Sequence, residues 1–162
     1  MQRVKLDQID HQILRDLQTN GRITNVELSK RAGISAPPCL RRVRALEDSG
    51  YITGYYAQLN GALLDYTEMF FALVGLNSQA QSVLKGFEAS MTDWAEVREC
   101  HMIRGGGDFL LKVVAQNKAH RDSLTMGITE TEHVARVTTF ETIRTSKDTP
   151  GVPVEVPSHV ET

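Results

Sequence analysis

Cysteine is nearly absent from this chain of 162 residues, which has only Cys39 and Cys100. Neither stands at a metal-ligand spacing from the other, so no metal site or disulfide framework is expected. Both are read as reduced core residues. Long hydrophobic runs are also missing. No apolar stretch is long enough to span a bilayer and no secretory signal is visible, so a cytoplasmic chain without a membrane partner is expected. There is no internal repeat and no low-complexity tract. Overall charge is close to balanced at −2, so bulk charge gives no hint of a polyanionic partner. Catalytic constellations are lacking too. His11, His101, His120, His133 and His159 are scattered, and no Ser/His/Asp, Cys/His or paired-carboxylate arrangement stands out.

Charge is present, but unevenly placed. Residues 1–60 carry nine Lys/Arg against six Asp/Glu, a net +3 that leaves −5 on the remainder. A basic head on an acidic body suggests that the head docks on a polyanion and the body does something else.

Within the head, the run TNVELSKRAGISAPPCLRRVRALEDSGYI (residues 24–52) reads as two helices joined by a tight turn. Thr24 or Asn25 can cap the first, with Glu27 at capping-box spacing from Thr24. Gly33 falls where a short interhelical turn needs positive φ. Ser35 can cap the second helix, with Pro37 and Pro38 in its first turn. Cys39, Val43 and Leu46 form its buried stripe, and Arg41, Arg42 and Arg44 occupy the other faces. A helix-turn-helix lays its second helix in the major groove of double-stranded DNA, its N-terminal residues near base edges and its basic residues near phosphates. The candidate DNA-binding set is Asn25, Ser35, Ala36, Pro37, Arg41, Arg42 and Arg44. Arg42 has a second possible use, as an intramolecular ion pair that anchors the helix. A plain reading of the run as a solvated helix in a bundle does not account for the capped pair, the glycine turn and three arginines with no acid before Glu47.

An earlier helix is expected over residues 7–18, with Asp7 as its cap and Ile9, Ile13 and Leu17 at helical spacing. A linking strand is expected over residues 51–59 and a hinge at Asn60-Gly61. Beyond it the spacing predicts strands over 69–76, 94–103, 108–115 and 134–145, and helices over 79–90 and 118–129. This βαββαβ order implies a ferredoxin-like sandwich, an antiparallel sheet with both helices on one face. The fold class is α+β, with a winged-helix-like helix-turn-helix at the N-terminus. The domains expected are 1–60 (DNA-binding, with the linking strand), 61–147 (ferredoxin-like) and an irregular tail, 148–162. The first body strand, MFFALVGL, is apolar on both faces, so the open sheet face needs a cover. A second copy is the simplest, which predicts a homodimer.

The stretches LDQIDHQIL, GRITNVELSKRAGIS, PPCLRRVRALEDSGYITGY and ECHMIRGGGDFLLK together resemble the Lrp/AsnC family of transcriptional regulators over about residues 5–147. The resemblance implies a DNA-binding head, a body that dimerises and often builds octamers or larger assemblies, and an amino-acid effector bound between dimers, with no other cofactor. It places the effector loop, of the form Gly-x-x-Asp-(Tyr/Phe), at Gly105, Gly106, Gly107, Asp108 and Phe109. Glycines let backbone N–H groups approach a ligand carboxylate, and Asp108 suits its ammonium group. Arg104 stands where many relatives have Ser or Thr. Where the family often has Thr-x-Thr near the pocket, this chain has Val137-Thr138-Thr139, so only Thr139 matches. The candidate effector set is Arg104, Gly105, Gly106, Gly107, Asp108 and Thr139. A Gly-rich hairpin turn with a solvated Asp is the plainer reading of the same residues. A phosphate loop is disfavoured because no Lys-Ser/Thr follows the glycines.

Two other classes are weighed. A similar two-domain layout occurs in enzymes resembling sirohaem decarboxylases. Those would need basic and His residues converging on one large pocket, not an arginine-dense helix. A pure interaction module without DNA binding would not need Arg41, Arg42 and Arg44. The expectation is therefore a regulator and not an enzyme.

Overall fold

The computed structural model describes residues 5–156. They divide into two compact units. One holds the chain up to Gln58 together with the residues from Lys147 onward; the other is Leu59–Ser146. His159 lies outside the described residues, as does the end of the predicted tail.

The first unit contains α1 (Gln8–Thr19), α2 (Asn25–Arg31) and α3 (Ala36–Asp48). Asp7 caps α1 in a full capping box. Its carboxylate accepts from the Asp10 N–H at 2.9 Å and its own N–H donates to Asp10 at 3.1 Å. Thr24 caps α2 by accepting from the Glu27 N–H. The reciprocal half of that box is absent, because Glu27 pairs instead with Arg31 one turn on, at 3.0 Å. Gly33 (φ +70°) closes α2 in a Schellman turn, with Ile34 N–H donating to Ser29 and Gly33 N–H to Lys30. Gly50 (φ +77°) repeats the device after α3, with Tyr51 N–H donating to Leu46. Ile13, Leu28, Cys39 and Leu46 form the centre of this small core.

Two expectations about this unit need correction. Ser35 occupies the N-cap position of α3 but makes no capping bond. A cap accepts from the second or third helical N–H, and those positions are Pro37 and Pro38, which have none. The segment over residues 51–59 forms no strand. A strand needs a ladder partner, and among the described residues this run has none. It is held locally, by the Tyr55 hydroxyl donating to Glu47 at 3.0 Å. That burial and that acidic neighbour push the Tyr55 phenol up to about 12. The described part of the tail is irregular and is tied to α1. The Gln18 side chain donates to the Val152 carbonyl at 2.7 Å and accepts from the Val152 N–H at 3.3 Å.

The second unit has β1 (Glu68–Leu76), α4 (Gln81–Thr92), β2 (Val97–Met102), β3 (Phe109–Ala115), α5 (Lys118–Glu130) and β4 (Val134–Glu141). The sheet is antiparallel in the order β2-β3-β1-β4, the βαββαβ arrangement expected. Helix α4 starts two residues later than the periodicity suggests, and β4 stops four residues earlier. Burial alternates along β1 from Met69 onward and along all of β3. Phe70, Ala72, Val74, Phe109, Leu111 and Val113 face the helices and are fully buried. Phe87 of α4 packs on Phe109 with ring centroids 4.8 Å apart. Burying each such ring contributes roughly 1.5–3 kcal/mol.

Gly127 is a defect in α5 by propensity, yet a Cβ there would lie 2.5 Å from the Trp94 ring. The glycine lets the indole lie directly on the helix. Cys39 is buried as expected, and burial pushes its thiol up. Cys100 is exposed, on the sheet's edge strand. The other sheet face is only half-covered by its own chain. Phe71, Leu73 and Leu110 are partly exposed there, and Phe140 is exposed. Among them Glu99 joins His101 (3.0 Å) and Lys112 (2.9 Å). The hydrogen bonds from His101 and then Lys112 hold the Glu99 carboxyl below the usual range, against the opposing effect of burial.

Candidate functional site

In the first unit the three arginines of α3 separate by use. Arg42 reaches back to α1, its guanidinium 2.7 Å from Asp10 and 2.8 Å from Asp7. The bond from Asp10 is the largest of the effects that raise the Arg42 pKa. Burial would raise the Asp7 carboxyl, but the Asp10 N–H, the Arg42 hydrogen bond and the Arg42 charge together hold it below its ordinary value. Asp10 is buried, so the pair ties α3 to the capping box of α1. Of the two uses open to Arg42, the structure shows the intramolecular one.

Arg41 and Arg44 are exposed, and among the described residues neither makes a hydrogen bond or ion pair. They follow Pro37 at helical spacing along one outward face. Asn25 is occupied differently from expectation. Its amide donates to the Ala36 carbonyl at 2.9 Å, which fixes the start of α3 against α2. Ser35 and Pro37 are exposed beside the N-terminus of α3. With Pro37 and Pro38 lacking N–H groups, that terminus is a poor backbone anion site, and phosphate recognition falls to side chains.

In the second unit a cavity of about 300 Å³ opens at one end of the sheet. Its walls are Gly75 and Leu76 at the end of β1, the turn over residues 105–108, and Ala135 with Arg136 at the start of β4. Gly105, Gly106, Gly107 and Asp108 are thus brought together as expected. Two of the glycines are needed as such. Gly105 has φ +139°, and a Cβ on Gly107 would lie 2.9 Å from both the Leu73 side chain and the Val74 carbonyl. Gly106 has ordinary room, with Leu73 at 3.7 Å.

Arg104 and Thr139 do not line this cavity. Thr139 pairs with Ala72, whose side chain lies on the helix-covered face. It is three residues, about 10 Å, along β4 from Arg136 and on the opposite face. Asp108 is present, but its carboxylate is engaged. One oxygen accepts from the Leu76 N–H at 2.7 Å and the other from the Gln79 amide at 2.6 Å. The Leu76 bond falls where β1 shifts register against β4, so Asp108 satisfies a backbone donor that the irregular ladder leaves over. Arg136, which sequence reasoning missed, donates to the Gly106 carbonyl at 2.7 Å. The signal available was its period-two offset from Val137 and Thr139, which puts it on the other face.

His11, His101, His120 and His133 lie in separate places, with no convergence on this cavity. Among the described residues no helix is long and apolar enough to cross a membrane.

The two architectures, a helix-turn-helix with an exposed basic face and a βαββαβ unit with a glycine-walled cavity, define a two-part regulator of the DNA-binding, ligand-binding class. Comparison with known proteins makes the class specific. Residues 6–53 match the family description "Winged helix-turn-helix DNA-binding" and residues 69–152 match "Lrp/AsnC ligand binding domain". A leucine-responsive regulatory protein of Rhizobium meliloti is 53% identical over 147 residues, 90% of this chain and 94% of that protein. That of Escherichia coli K12 is 47% identical, over 74% and 73% of the two. Among solved structures, a transcriptional regulator of Neisseria meningitidis in complex with L-Met superposes with a TM-score of 0.87. It is 33% identical and covers 92% of this chain and 97% of its own. A feast or famine regulatory protein of Mycobacterium tuberculosis complexed with L-methionine gives 0.85 at 27% identity, over 94% and 100% of the two. The chain belongs to the Lrp/AsnC family of transcriptional regulators.

Proposed function

We propose that this regulator binds double-stranded DNA through α3 and changes its DNA occupancy when a small amino acid enters the cavity at residues 105–108. The observation that carries the DNA part is the contrast on α3: Arg42 is tied to Asp7 and Asp10, whereas Arg41 and Arg44 are exposed and unpaired. The DNA set is then Ser35, Ala36, Pro37, Arg41 and Arg44, with Asn25 and Arg42 holding the helix in place. Residues 1–60 serve as the reading domain and 61–147 as the effector and assembly domain. The amino-acid effector rests on relatives named leucine-responsive and on neighbours crystallised with methionine.

The working form is a homodimer, with octamers as a further assembly. Half-covered Phe71, Leu73 and Leu110 on the open sheet face favour a second copy as cover. The protein acts in the cytoplasm as a regulator and not as an enzyme. Because a dimer carries two heads, its site is a palindrome with half-sites one helical turn or a multiple apart. The test is a gel shift with DNA flanking the protein's own coding region, run with and without leucine and methionine. A salt-dependent complex that the amino acid strengthens or weakens is expected. A complex indifferent to both amino acids, or none with any promoter DNA, would count against the reading.

A further inference from the structure

The cavity contains one acid and one base, and their states differ. Asp108 has both carboxylate oxygens engaged by donors from its own chain, Leu76 and Gln79. Arg136 has a single hydrogen bond among the described residues, to the Gly106 carbonyl, and no acid partner. That bond uses one of the five N–H groups of a guanidinium. It also draws the exposed head group toward the glycine turn. An exposed guanidinium lining a small cavity, with no acid partner among the described residues, is chemistry for a carboxylate, which it can grip by two parallel hydrogen bonds.

The far wall is suited to the rest of such a molecule. Gly75 pairs directly with Arg136 across the sheet, and a Cβ there would stand 3.9 Å from the Arg136 Cβ. The missing side chain leaves the arginine's flank open. Leu76 and the glycine turn complete the wall without another charge.

We infer that Arg136 is the carboxylate-recognition residue of the effector cavity, and that the cavity takes small carboxylates as a class, with or without an α-ammonium group. This rests on the effector reading proposed above. It adds that Asp108 is framework, so an ammonium group is not what the site selects. The 2-oxo acids corresponding to leucine and methionine then bind as the amino acids do, while the amino-acid amides, which keep the ammonium but lose the carboxylate, do not.

The experiment is titration calorimetry on the full chain with L-leucine, L-methionine, their 2-oxo acids and their amides. Arg136→Gln and Arg136→Lys are run in parallel, with thermal melts of the unliganded proteins. Gln keeps a donor for the Gly106 carbonyl without the charge, so a fold defect is separable from a binding defect. The expected result is binding of both acid forms, amides weaker by about tenfold or more, and a similar loss of both acids in Arg136→Gln at unchanged melting temperature. Arg136→Lys retains part of the affinity. Amides that bind as tightly as the acids, 2-oxo acids that do not bind, or a well-folded Arg136→Gln with parental affinity would overturn the assignment while leaving the effector reading standing. A parent protein that binds none of the six compounds would overturn both.

Discussion

The helix α3 and the cavity at the end of the sheet both combine charged residues, and in each the most prominent charge is not the available one. In α3 the second arginine of the run Arg41-Arg42-Val43-Arg44 is committed to Asp7 and Asp10, and Arg41 and Arg44 have no partner among the described residues. In the cavity the conspicuous acid, Asp108, satisfies a backbone N–H and an amide, and the free charge is Arg136 on another strand. The two units thus solve the same problem, fixing a local conformation with a charge, and leave a second charge for a partner. Residue type states what chemistry is possible; pairing decides which copy of that chemistry faces outward.

Substitutions that break this contrast should differ in size. The largest effect is expected from Gly107→Ala, where a Cβ meets the Leu73 side chain and the Val74 carbonyl at 2.9 Å. Overpacking against backbone costs about 1–3 kcal/mol, seen as a lower denaturation midpoint, whereas Gly106→Ala should stay within about 0.5 kcal/mol. Next is Asp108→Ala, which strands the Leu76 N–H and should destabilise the second unit by about 1–3 kcal/mol. Chemical denaturation would show it, together with a lost ligand response. Asp108→Asn keeps one acceptor and should lose less. Arg42→Ala leaves buried Asp10 without its cation and should lower stability of the first unit by about 1–3 kcal/mol, while Arg41→Ala should change it by under about 0.5 kcal/mol.

The smallest effect concerns acid. The folded Asp7 carboxyl lies below its ordinary value of 3.8. Its contribution to stability is therefore full above that value and is lost as pH falls through the lower, folded one. Denaturant midpoints between pH 6 and pH 3 should fall in the parent protein, and part of that fall should vanish in Asp7→Asn. Equal slopes in both would remove Asp7 from the account.

Much of this was legible in the chain. The capped helix pair, Gly33, the buried stripe of α3 and the βαββαβ order all follow from local spacing, because caps, positive-φ turns and periodicity act over a few residues. Ser35 is a local exception: it fails to cap because two prolines remove its donors. The rest of what was not legible depends on contacts distant in sequence. Residues 51–59 form no strand because pairing needs a ladder partner, and none is present among the described residues. Thr139 was placed near the cavity by resemblance, while the register of β4 on β1 puts Arg136 there. Gly127 weakens α5 by propensity, and only the fold brings Trp94 against it.

The division of labour among the α3 arginines is tested most directly by the salt dependence of DNA affinity in Arg41→Ala, Arg44→Ala and Arg42→Ala, each at a temperature where the variant is fully folded. Replacing an arginine on phosphate should lower the salt slope by roughly one unit, and replacing one on a base edge should cost about 1–3 kcal/mol of discrimination. Arg41→Ala and Arg44→Ala are expected to show one or the other, and folded Arg42→Ala neither. A folded Arg42→Ala with the largest loss of slope, beside unchanged Arg41→Ala and Arg44→Ala, would contradict the account.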